Sequence, residues 1–280
     1  DGKYLVYGSR HDAETGLVIR TLATGDEKWL AYPVQRDDQE SIATRDVLPG
    51  MSFTPDSQLL VLSYGGKIMK LPIAGGDAVE IPFTVKEDLE VGPSVHFNYK
   101  ISDDPTFIVK QIRNPVLSPN GKKLAFTALD RLYVMDYPNG TPSRVTTFDM
   151  TEAHPAWSPD GTSLAFVTWS NSAGGHIYKT TFGKKTTPPV KLTQEPAVYR
   201  DIAWSATGRI VSFKAPMQAM MDSYGPTDAL GVSQDLVWIP DGGGKSTVIA
   251  TAKGRNVPHF TADKDRIFLY DDEKGLVSIR

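Results

Sequence analysis

One turn motif recurs through this chain, and it constrains the fold more than any other feature. Trp157-Ser158-Pro159-Asp160-Gly161 precedes the apolar run Leu164-Ala165-Phe166-Val167. Leu117-Ser118-Pro119-Asn120-Gly121 precedes Leu124-Ala125-Phe126 in the same way. Phe53-Thr54-Pro55-Asp56-Ser57, Trp204-Ser205-Ala206-Thr207-Gly208 and Phe260-Thr261-Ala262-Asp263-Lys264 are weaker copies, each followed by an apolar run of its own. The chain opens on Asp1-Gly2-Lys3-Tyr4-Leu5-Val6-Tyr7, the second half of a sixth copy. In such a turn Pro presets φ, Asp accepts from nearby backbone N–H groups, and Gly accepts a positive φ. Each copy therefore predicts a hairpin.

The Asp-equivalent positions are 1, 56, 120, 160, 207 and 263. The shortest interval, 120 to 160, matches the roughly 40–45 residues of a four-stranded propeller blade. The longer intervals need insertions. In the third copy, 114–117, 123–127, 131–136 and 143–148 read as four strands rich in β-branched and aromatic residues. The 85–110 insertion reads as a hairpin, 95–101 against 106–110. No segment sustains a helical apolar period; 216–222, with Met217, Met220 and Met221, is a loop with at most one helical turn. The fold expected is an all-β propeller of six four-stranded blade equivalents in one domain, at about 1–47, 48–110, 111–151, 152–198, 199–254 and 255–280. Its first and last blades are incomplete, one lacking an inner strand and the other an outer strand, which points to a fragment of a longer polypeptide.

Composition removes several function classes. Net charge is −3, far from the basic footprint of a nucleic-acid binder. No apolar run is long enough for a membrane span. The absence of cysteine excludes a disulfide scaffold, a zinc–thiolate site and a thiol nucleophile. His11, His96, His154, His176 and His259 contain no His-x-His pair, and neither a zincin helix motif nor a nucleophile elbow occurs. Asp241-Gly242-Gly243-Gly244-Lys245-Ser246-Thr247 ends like a phosphate loop, but Ile239 stands where its first Gly must be and no helix pattern follows. It reads as a turn between outer strands.

The recurring Trp-Ser-Pro-Asp-Gly turns resemble the WD-type repeats of the TolB-like propeller family, and the resemblance covers nearly the whole chain. Tyr32-Pro33-Val34-Gln35-Arg36-Asp37-Asp38-Gln39-Glu40-Ser41, Asp46-Val47-Leu48-Pro49-Gly50 and Gly174-Gly175-His176-Ile177-Tyr178-Lys179 more closely resemble the propeller region of bacterial amidohydrolase-like proteins. That resemblance implies a non-catalytic module that scaffolds or gates a hydrolase domain, covalently linked or associated, with any metal held in that other domain. It also implies the bacterial periplasm or secretion. The alternatives are a freestanding periplasmic interaction platform with envelope-protein partners, and a lyase or hydrolase using His154 and arginines at the channel mouth.

Aligning the copies points to a site. In a propeller the residues just before each inner strand gather at one mouth of the central channel. Here those stretches hold Arg113 and Asn114, Glu152 and His154, Arg200 and Asp201, and Arg255 and Asn256. Arg45 and Asp46 approach the same region in the second copy. Recurrence at one repeat position predicts a ring of arginines interleaved with acids. One reading is a pocket for an anionic ligand, since Arg forks suit carboxylates and phosphates. The other is mutual pairing that staples adjacent blades. Asp37, Asp38 and Glu40 form a charged loop run that is either solvated or a calcium site. No cofactor is otherwise expected. The Met-rich loop at 214–234 either adapts to a partner surface or covers the propeller's own edge.

Overall fold

The computed structural model describes residues 2–12, 14–34, 50–93, 102–183, 185–221, 233–261 and 266–279. The chain divides into two compact units, Asp1–Phe107 and Ile108–Arg280. Both are built from antiparallel meanders, in which each strand pairs with the next along the chain.

The first unit holds two meanders. One is three-stranded: β1 (Tyr4–His11), β2 (Glu14–Thr21) and β3 (Glu27–Ala31). The other is four-stranded: β4 (Ser52–Phe53), β5 (Leu59–Tyr64), β6 (Lys67–Pro72) and β7 (Val79–Ile81). Alternation along the strands sends Leu17, Ile19, Leu60, Leu62 and Leu71 to one shared core.

The second unit continues the pattern. β8 (Arg113–Leu117), β9 (Lys123–Ala128), β10 (Arg131–Asp136) and β11 (Ser143–Arg144) form one sheet. β12 (Thr151–Trp157), β13 (Ser163–Ser170), β14 (Gly174–Thr181) and β15 (Val190–Lys191) form the next meander. β16 (Ala197–Trp204), β17 (Arg209–Pro216), β18 (Asp235–Pro240) and β19 (Thr247–Thr251) follow, and a single pair, Gly175 with Ala197, joins these two meanders into one sheet. β20 (Asn256–Phe260), β21 (Ile267–Asp271) and β22 (Gly275–Ile279) complete the unit. Phe166, Leu132 and Trp157 pack between the first two meanders, Ile177, Ile210 and Ile239 between the next two, and Phe213, Leu236 and Leu269 at the last.

The recurring turn explains the regularity. Ser158 Oγ donates to Asp160 Oδ1 (2.6 Å) and accepts from Ser163 N–H (2.9 Å), while Asp160 Oδ1 accepts from Thr162 N–H (3.0 Å). Ser118 and Asn120 repeat all three bonds. Gly121, Gly161 and Gly208 have φ of 71°, 70° and 82°, the left-handed region that only Gly enters without cost. The Asp160 carboxyl lies below the usual carboxylate range, first through the Ser158 hydroxyl and then through the Thr162 N–H.

Two expectations change. The strand expected at 106–110 does not form, and Phe107 and Ile108 are exposed; a strand needs a ladder partner to hold its backbone polar groups. Its expected partner at 95–101 lies outside the described residues. The outermost strand expected at 143–148 shortens to Ser143–Arg144, because Thr146 and Phe148 turn inward to serve Glu152 and the core. The segment at 241–246 is a turn between β18 and β19, and α1 (Met217–Met221) is a single short helix whose Met221 is buried. No helix among the described residues is long and apolar enough to cross a membrane.

Candidate functional site

In each inner strand of the second unit, the ladder slips at one repeat position. The irregularities fall between Arg113 and Val116, Ala153 and Ala156, Arg200 and Ala203, and Asn256 and His259. Each holds a left-handed residue four positions before the turn Ser or Thr: Asn114 (φ 48°), His154 (48°), Asp201 (54°) and Val257 (50°). Asn, Asp and His are the non-Gly residues that tolerate this region best, and a β-branched Val there is an outlier. Pro115, Pro155 and Pro258 follow three of them. Proline carries no N–H, so it leaves no orphaned donor where the ladder is interrupted.

The bulges bring these four residues to one cavity of about 210 Å³, walled by Pro115, Pro155, Ile202 and Pro258. His154 Nδ1 lies 3.2 Å from Asp201 Oδ1, linking β12 to β16. The other carboxylate oxygen accepts from Arg200 Nη1. Arg200 is itself fixed: Nε donates to Gln234 Oε1 at 2.7 Å, and the guanidinium lies 4.6 Å from the Phe213 ring centroid. Burial pushes the Asp201 carboxyl up. The hydrogen bond and charge of His154 together with the Arg200 guanidinium more than offset this, so it ends below its ordinary value. A carboxylate on Nδ1 orients the imidazole and presents Nε2 away from Asp201.

The remaining predicted site residues go elsewhere. Glu152 is 1% exposed and absent from the cavity wall. Its carboxylate accepts from Leu132 N–H (2.7 Å), Thr146 Oγ1 and Arg144 Nη2 (3.5 Å), tying β12 to the preceding meander. Arg113 is exposed. Arg255 Nε donates to Asp271 Oδ2 at 3.1 Å, and Asn256 opens β20 opposite Tyr270. Asp37, Asp38, Glu40, Arg45 and Asp46 lie outside the described residues. Among the described residues no group of three or more His, Asp and Glu side chains is placed to hold a metal. His176 is buried beside Thr193, 3.0 Å from Nδ1 to Oγ1; burial and then the Lys191 charge push its pKa down.

Sequence reasoning missed Val257, Ile202 and Gln234. The signal for Val257 was available, since it stands four residues before Thr261 just as His154 does before Ser158.

A larger cavity, about 340 Å³, lies in the first unit, with Lys28, Glu27 and Asp56 around Ile19 and Ile73. Its charged groups are spent locally. Glu27 accepts from Tyr7 OH (2.8 Å) and Arg20 (3.2 Å), Asp56 caps its own turn, and Lys28 Nζ donates to Ala74 O (3.2 Å). The smaller cavity, where the repeats converge four times, is the better candidate.

No protein-family model and no curated protein sequence matches the chain. Among solved structures it is similar to TolB from Acinetobacter baumannii, at 17% identity and a TM-score of 0.45, over 98% of this chain and 60% of that one. It thus spans three fifths of that protein's length. It is also similar to a putative TolB from Agrobacterium tumefaciens (17% identity, TM-score 0.39, 90% and 78% covered). A third similar structure is oligogalacturonate lyase in complex with manganese (16% identity, TM-score 0.43, 99% and 85% covered). The likeness is one of fold alone and transfers no residue role.

Proposed function

We propose that this chain is a non-catalytic propeller module of six repeats that scaffolds or gates a hydrolase domain and meets it, or its ligand, at the His154–Asp201 mouth. The observation that supports this is mutual satisfaction. Asp201 receives both His154 and Arg200, and Arg200 is further held by Gln234 and Phe213. Such a network fixes the shape and polarity of a mouth. A general base, by contrast, must lie within hydrogen-bond reach of a substrate proton or a nucleophile. On this reading the module carries no cofactor of its own, any metal belongs to the hydrolase domain, and the protein works in the bacterial envelope or outside the cell.

The first test is the parent reading frame. A frame that runs beyond Arg280 into a His-x-His-containing domain supports scaffolding in cis. A stop codon together with a stable envelope-protein partner replaces it with a freestanding platform. Turnover of esters, lactones or uronates by this chain alone, abolished in His154→Ala, overturns the non-catalytic reading.

A further inference from the structure

The first unit carries a partly exposed aromatic surface. Trp29 and Tyr32 lie 4.7 Å apart between ring centroids, and His11 lies 6.3 Å from each. Tyr32 OH donates to His11 O at 2.7 Å, so the phenol is locked in place. Trp29 is still 40% exposed and Tyr32 37%.

Gly16 is the seat of this surface. It lies inside β2, and its φ is not positive, so no turn demands glycine there. Glycine within a strand is unfavourable unless something needs the space. A Cβ would stand 2.6 Å from Tyr32 Cδ2 and 2.7 Å from Trp29 Cζ3. The residue is glycine because two rings rest on it. Aromatic cover over a strand glycine is also a stability device, but that role alone gives no reason to leave over a third of each residue's surface in solvent.

Among the described residues the surroundings are acidic. Glu14 pairs directly opposite His11 and stands two residues before Gly16, so it shares their face and is exposed. Asp12 lies 3.2 Å from His11 Nε2 and is 58% exposed. Arg20, the basic residue on that face of β2, is held by Glu27 at 3.2 Å. Electron-rich ring faces beside carboxylates attract a cation with an apolar skin. A sugar would also want donors, and the Tyr32 hydroxyl already spends its proton on His11 O.

We propose that His11, Trp29 and Tyr32, seated on Gly16 and flanked by Asp12 and Glu14, form a binding site for a compact organic cation of the quaternary-ammonium type. The test is calorimetric titration of the whole chain with choline, with its neutral carbon isostere dimethylbutanol, and with methyl glucoside. Choline should bind saturably, dimethylbutanol should not, and Trp29→Ala and Glu14→Gln should each weaken choline binding about tenfold. Gly16→Ala keeps every ring and carboxylate but displaces the rings, and should lose binding while circular dichroism reports an intact fold. Equal binding of dimethylbutanol, binding of methyl glucoside alone, unchanged choline binding in Gly16→Ala, or no choline binding by the folded wild type each overturns the proposal.

Discussion

The β4–β7 and β12–β15 meanders carry the same turn and anchor their inner strands differently. In both, the turn hydroxyl accepts from the N–H five residues on, Thr54 from Leu59 at 3.0 Å and Ser158 from Ser163 at 2.9 Å. In both, the turn Asp accepts from the N–H two residues on. Yet β4 has two residues and Phe53 is 36% exposed, whereas β12 has seven and Trp157 is 7% exposed. The Trp157 indole donates to Val116 O (3.2 Å) on the neighbouring inner strand and packs 5.3 Å from Phe182. Trp204 repeats the bond one meander further on, to Ala156 O at 3.1 Å. The turn closes a hairpin by local chemistry; the aromatic before it fastens one meander to the next, and that depends on what the neighbour presents.

The comparison can be broken by truncating both aromatics. Trp157→Ala should cost about 3–5 kcal/mol, the usual range for a large buried aromatic, and Phe53→Ala about 1 kcal/mol, since its ring is only partly buried. Urea denaturation followed by circular dichroism measures both, and equal losses would remove the distinction. Glu152→Ala comes next. It leaves Leu132 N–H, Thr146 and Arg144 without their buried acceptor and should cost about 3 kcal/mol, whereas Arg113→Ala, on an exposed side chain, should change stability by less than about 0.5 kcal/mol.

A smaller effect sharpens the turn itself. Ser57 sits at φ 56° where Gly161 sits at 70°. Ser57→Gly should therefore stabilise by about 1 kcal/mol and Gly161→Ser should destabilise by a similar amount. The smallest effect concerns the His154–Asp201 cavity, and it is read against pH. Asp201 lies below its ordinary value, so its ionised form is favoured by folding. That stabilisation is complete above the unfolded aspartate value of about 3.9 and fades as pH falls through the lower folded value. The melting temperature of Asp201→Asn should fall less on acidification than that of the wild type; parallel curves would show that the carboxylate is not the group involved.

The hairpins were legible because their chemistry is local. Pro, Asp and Gly at fixed offsets specify a turn, and the apolar runs beside it specify strands. The candidate cavity lies at the repeat position the sequence marks, but its side chains are not the set the sequence singles out. Repeat alignment marks the start of each inner strand and singles out arginines there. Arg113, however, is exposed, Arg255 serves Asp271, and Arg200 stands behind the cavity, where it is held by Asp201. Glu152 belongs to the joint between meanders.

The sequence by itself determined the repeat, the turns and the order of the strands, since each rests on residues within a few positions of one another. Which residues face the cavity was decided by the tertiary structure. Side chains alternate along a strand, and one extra residue at a bulge reverses the alternation. At the slip before each turn, Asn114, His154, Asp201 and Val257 line the cavity. Where a ladder slips depends on the strand beside it, and no pattern within a single strand records that.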